Sequence, residues 1–115
     1  HLIMEIYHNP RCAKSRAGLK YLAEKGYDIE LKKYLTDGLT ETELREVIQK
    51  TGEKPFDFVR TQEKLFKDEF KGKVFTDDEW INILVENPKL LKRPIVVNGD
   101  KAVLAQPPEA VEEII

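Results

Sequence analysis

Cys12 is the only cysteine of the chain, and the residues around it are those that turn a thiol into a nucleophile. The run His8-Asn9-Pro10-Arg11-Cys12-Ala13-Lys14-Ser15-Arg16 puts Cys12 where a turn gives way to a helix. A thiol at a helix N-terminus faces unsatisfied backbone N–H groups and the positive end of the dipole, which favour thiolate over thiol. Arg11, Lys14 and Arg16 add positive charge, and a protonated His8 would add more. Ser15, three residues on, can turn its hydroxyl back toward the sulfur. A lone cysteine also serves as a small apolar filler of a core. By the same token His8 also reads as a solvated turn residue and Arg16 as a surface charge. The residues alone leave both sets of readings open.

A second group lies far along the chain. Arg60 follows Phe58-Val59, and Arg93 precedes Pro94. Two arginines and a helix N-terminus can hold a tetrahedral oxyanion bidentately beside a thiolate. Alone, Arg60 would read as a surface residue. Pro94, standing before an apolar run, is a candidate cis proline.

The elements that must position these residues follow from periodicity. Leu2 to Tyr7 is a short β-favouring run ended by His8-Asn9-Pro10. Ala13, Ala17, Leu19, Leu22 and Ala23 recur at helical spacing up to Lys25, with Gly26 as terminator. Tyr27 to Leu35 alternates as a second strand, so residues 1–35 predict β-α-β with parallel strands. Residues 36–92 predict a helical insertion: capping boxes at Thr40–Glu43 and Thr76–Glu79 open two helices, and Thr61 to Lys71 carries a third apolar stripe. Residues 93–115 predict β-β-α. Ile95-Val96-Val97 is a buried strand, Asn98-Gly99 a hairpin turn and Lys101 to Ala105 its partner, before a helix that starts at Pro107-Pro108-Glu109. There is no internal repeat and no low-complexity segment.

Composition narrows the function classes. A chain of 115 residues suits one domain. With 19 basic and 21 acidic side chains the net charge is -2, which gives no field toward nucleic acid or a membrane surface. No apolar run reaches the length of a membrane span, and no basic segment leads into an apolar signal. One cysteine makes neither an internal disulfide nor a Cys-rich metal site, so a reducing, cytoplasmic setting is expected and no metal. Any redox partner of Cys12 must come from another molecule. His1-Leu2-Ile3 precede Met4, which is a candidate natural start.

Tyr7-His8-Asn9-Pro10, one residue, then Cys12-x-x-Ser15-Arg16 resembles the active-site segment of the glutaredoxin-coupled arsenate reductase family. The resemblance runs on through Phe75-Thr76-Asp77-Asp78 and Arg93-Pro94-Ile95-Val96-Val97 to the Pro108-Glu109 helix start, so it covers nearly the whole chain in order. It implies an α/β, thioredoxin-like fold: a four-stranded mixed sheet with a helical insertion between its β-α-β and β-β-α halves. It implies Cys12 as nucleophile, with His8, Ser15 and Arg16 around it. Arg60 and Arg93 match two oxyanion-binding arginines and Pro94 the cis proline. The pattern breaks at Gln106, where the family carries a third arginine. Glutamine donates hydrogen bonds but brings no charge, so Gln106 is expected to bind substrate more weakly than arginine would.

The resemblance implies attack of the Cys12 thiolate on arsenate, glutathione as co-substrate, glutaredoxin or another thiol reductant as partner, and no tightly bound cofactor. A second reading keeps the thiol chemistry but takes a glutathione mixed disulfide as substrate. A third, of another class, is a redox regulator of the Spx type that binds RNA polymerase. Such regulators usually sense through Cys-x-x-Cys, and here the second position is Ser15.

Overall fold

The computed structural model describes residues 3–115; His1 and Leu2, the latter assigned by sequence to the first strand, lie outside them. The chain divides into two compact units, one reaching to Gly38 and resuming at Arg93, the other Leu39–Lys92.

The first unit holds β1 (Ile3–Tyr7), α1 (Ala13–Glu24), β2 (Asp28–Lys32), α2 (Tyr34–Asp37), β3 (Ile95–Asn98), β4 (Lys101–Leu104) and a closing 3-10 helix, Pro108–Ile114. Its four-stranded sheet has the order β2-β1-β3-β4. β1 pairs parallel with β2 and antiparallel with β3, and β3 pairs antiparallel with β4. This is the mixed sheet that the alternation of the first and last segments predicts.

Met4 and Ile6 alternate onto one face of β1, where they join Leu22, Val96, Ala105, Val111 and Ile114 in the core. Full burial of such a large aliphatic side chain contributes about 1.5–3 kcal/mol. That core fixes α1 and the 3-10 helix against the sheet, and with them the position of Cys12.

The face α1 turns inward carries Ser15, Gly18 and Leu22. Gly18 is needed for space: a Cβ there would stand 2.6 Å from Pro94 Cγ. Only a change of ring pucker can shift the proline Cγ, and then by a small distance, because the ring is closed on the backbone. Gly18→Ala therefore gains helix propensity, about 1 kcal/mol, but overpacks the contact. A net loss of about 1–2 kcal/mol is expected from urea denaturation, since overpacking costs about 1–3 kcal/mol. Unchanged or higher stability would show that Pro94 yields easily.

Three local departures from the sequence reading have physical reasons. β2 stops at Lys32, not Leu35, because β1 ends opposite it at Tyr7 and then turns away. Tyr34, buried, instead opens the short helix α2, which ends at Gly38 with φ 89°. In the hairpin Asn98 pairs with Lys101, so the two central turn residues are Gly99 and Asp100, not Asn98 and Gly99. Gly99, with φ 63°, supplies the positive φ that a turn with glycine in first central position requires. Asn98 Nδ2 meanwhile donates to the Ile114 carbonyl at 2.6 Å. The closing helix is 3-10, not α: its buried residues Val111 and Ile114 are three apart and eclipse on one side.

The second unit contains α3 (Glu41–Thr51), α4 (Lys64–Glu69), α5 (Asp77–Glu86) and two 3-10 turns, Pro55–Phe58 and Pro88–Leu90. Thr40 Oγ1 accepts from the Glu43 N–H at 3.1 Å. Thr76 and Glu79 form the full reciprocal capping box. Trp80 gathers Phe56, Phe66, Phe70 and Phe75 at centroid distances of 4.9 to 6.3 Å. The unit is not wholly helical. Val59 and Leu91, both buried, form an antiparallel bridge, with Arg60 N–H on the Leu90 carbonyl and Lys92 N–H on the Phe58 carbonyl, each at 2.7 Å.

Candidate active site

The turn that delivers Cys12 is built around Asn9. Asn9 N–H donates to Ser15 Oγ at 3.1 Å, Asn9 Oδ1 accepts from Arg11 N–H at 3.0 Å, and the Asn9 carbonyl accepts from Cys12 N–H at 3.0 Å. Arg16 Nη1 closes the turn on the Pro10 carbonyl at 3.0 Å. An asparagine before proline suits this role, because its carboxamide satisfies the backbone two residues on while proline fixes φ. Asn9 belongs to the turn that the sequence predicts at His8-Asn9-Pro10, and the Asn-Pro pair is its signal.

Cys12 is the N-cap residue of α1, in extended conformation and partly exposed. Its side chain makes no cap hydrogen bond of full geometry. Burial pushes its thiol pKa up, but the Ser15 N–H, the Arg93 side chain and the Lys14 N–H stabilise the anion and bring it below its ordinary value. The first turn of α1 contains no acidic residue to neutralise that field. Lys14 thus acts through its backbone, not its ammonium. Ser15 likewise acts through its N–H, while its hydroxyl, fully buried, holds Asn9.

Arg93 is the residue whose part at the thiol the sequence did not disclose. It is only 8% exposed, and its side chain, by hydrogen bonding and charge, is among the influences that lower the Cys12 thiol pKa. A buried guanidinium needs an anion beside it, and the thiolate is one. The Arg93-Pro94 bond is cis, and so is Gln106-Pro107. Gln106 does not stand as a detached substrate ligand: its Nε2 donates to the Arg93 carbonyl.

His8 departs furthest from its expected part. It is 4% exposed, and burial holds its imidazole pKa below the ordinary value; a backbone hydrogen bond with Ser15 opposes this, and the charges of Lys33 and Arg16 add to it. The lowered pKa favours the neutral imidazole over the cation that would lend Cys12 charge. Arg60 lies in the second unit, where its guanidinium pairs with Glu63 at 2.8 Å. That ion pair must open or be shared before Arg60 can bind an anion.

Two outcomes are expected here. Iodoacetamide alkylation of Cys12, followed against pH, should rise with a midpoint below the reference of about 8.5, since the folded protein favours the thiolate. A midpoint at or above that value would remove the case for an activated thiol. Gln106→Ala releases the tie on Arg93, and a neutral hydrogen bond is worth about 1 kcal/mol. The alkylation midpoint should move up by a few tenths of a unit or more, roughly what a fraction of that energy delivers. An unmoved midpoint would show that Arg93 is held without Gln106.

A thioredoxin-like sheet with a helix-capping thiol and a buried arginine that favours its thiolate defines a class of thiol-chemistry proteins. Comparison narrows the class. Residues 7–114 match the model of the ArsC family. An arsenate reductase of Haemophilus influenzae is 37% identical over 112 residues, covering 96% of this chain and 97% of that protein. An uncharacterised protein of Streptomyces viridochromogenes is 38% identical, covering 97% and 98%. The structure of an arsenate reductase from Vibrio cholerae superimposes with a TM-score of 0.93 at 36% identity, over 99% of this chain and 98% of that one. The chain belongs to the ArsC family.

Proposed function

We propose that this protein is a thiol-dependent oxidoreductase whose Cys12 thiolate attacks a tetrahedral oxyanion such as arsenate, with glutathione and glutaredoxin as reductants. The observation that carries the reading is a helix-capping cysteine whose thiolate is favoured by the buried Arg93 side chain. One cation there serves two ends. It favours the thiolate before reaction, and its planar fork can then hold the oxygens of an anion drawn up to the sulfur.

Attack of Cys12 Sγ on arsenic expels one oxygen as water and leaves a thiol-bound arsenic(V) ester. A glutathione thiol next replaces a second oxygen, which also leaves as water. Reduction to arsenic(III) takes two electrons from the two bound sulfurs, so Cys12 and glutathione join as a mixed disulfide while arsenite departs. The chain has no second cysteine, so the second thiol comes from another molecule. Glutaredoxin taking up the glutathionyl group would return Cys12 to its starting state. Arg60, from its match to the family pattern, is proposed to supply a further cation to the oxyanion.

The second reading, reduction of a glutathione mixed disulfide, is favoured by Gln106, which occupies the place of the family's third arginine without its charge. A coupled assay separates the two. NADPH consumption is followed with glutathione, glutathione reductase and glutaredoxin, supplying either arsenate or a glutathionylated peptide. Arsenate-dependent turnover supports the oxyanion reading, whereas turnover of the mixed disulfide alone replaces it with the second.

A further inference from the structure

A cavity of about 390 Å³ lies beside the active-site turn, within the same unit. One wall is that turn, His8, Asn9 and Arg11; the other is the segment that follows β2, Lys33, Leu35 and Thr36. Two of these residues are cations, and no acidic side chain lines the cavity. His8 Nδ1 is buried and meets no hydrogen-bond partner, although a buried polar nitrogen ordinarily has one. Leu35, 37% exposed, and Pro10 supply an apolar edge. The volume falls in the range of small-molecule sites, about 300–1,000 Å³.

We propose that this cavity binds a carboxylate of the glutathione co-substrate, with Arg11 and Lys33 as its cationic partners and His8 as a hydrogen-bonding one. Glutathione carries two carboxylates and a thiol on a short flexible chain. The cavity suits the first, and its wall runs directly into Cys12, where the thiol must arrive. The Asn9 carbonyl, which bonds the Cys12 N–H, belongs to the same wall. In its neutral form His8 places no third charge in the site, so its ring can accept a donor or give one to a carboxylate oxygen. The inference rests on the proposed use of glutathione, but its test does not require turnover.

The test is a titration of the isotope-labelled full chain with S-methylglutathione, which binds as glutathione does but cannot exchange thiols. Shifts at the amides of His8, Asn9, Arg11 and Lys33 to Thr36 are expected. Lys33→Glu should weaken binding about tenfold or more, since each charge-assisted contact is worth about that factor. The probe with both carboxylates esterified should bind as poorly to wild type. Thermal melting checks that Lys33→Glu folds, and Arg11→Ala gives an independent loss from the opposite wall. The proposal is overturned by no binding, by unchanged affinity in both variants, by equal binding of the diester, or by shifts confined to residues outside this cavity. A protein that binds the probe here yet turns over neither arsenate nor a mixed disulfide retains the site and loses the proposed reaction.

Discussion

Cys12→Ser is expected to abolish thiol-dependent turnover, by at least about 10⁴-fold, because removing a nucleophile removes the bond on which every later step depends. A hydroxyl in the same place neither ionises near neutral pH nor exchanges with disulfides. The fold should be untouched. Cys12 is only partly buried, and serine is among the preferred N-cap residues, so α1 should gain slightly, by a few tenths of a kcal/mol. Steady-state assay and thermal melting of the same preparation separate the two effects. Turnover within tenfold of wild type, with a normal melting curve, would mean that the chemistry belongs to another group.

The second large effect is expected from Arg93→Ala. It removes the guanidinium that favours the thiolate and, in the proposed reaction, a donor to the oxyanion. Loss of one preorganised donor at a reacting centre costs about 10²–10³ in rate, and the less acidic thiol adds to it at neutral pH. The sign is set by the direction of the shift. With the stabilising cation gone, the alkylation midpoint rises and the thiolate fraction at pH 7 falls. Arg93→Lys should restore part of the midpoint, because charge is kept, but less of the turnover, because the fork is lost. If Arg93→Ala changes neither, the influence of Arg93 on the thiol is without consequence.

Much of the fold is legible in the sequence, because it is written in local signals. Alternation, helical spacing, proline and glycine placed the strands, α1 and the insertion, and the basic run before a helix start marked Cys12. Failures come where tertiary packing decides. Nothing in Tyr7-His8-Asn9 says that the imidazole will be buried, and burial is what favours its neutral form. Nor does the spacing of Ser15 from Cys12 say that its hydroxyl will be buried as the acceptor of the Asn9 N–H. Gln106 reads as a weakened arginine, and only the approach of the chain at Arg93 shows that its amide has a backbone partner. Helix type is similarly unreadable at the C-terminal end, where a spacing of three between Val111 and Ile114 fits either an α-helix or a 3-10 helix.

The bonds around Asn9 bear on how reactivity responds to temperature. Asn9 joins its neighbours through its N–H, its carboxamide and its carbonyl, and Arg16 adds a brace. Backbone freedom in the turn is therefore lost when the protein folds, not when substrate arrives. The barrier to attack by Cys12 should accordingly carry little activation entropy from the enzyme's own ordering. Reactivity should climb smoothly with warming and then fall abruptly, together with the melting of the unit that holds the turn.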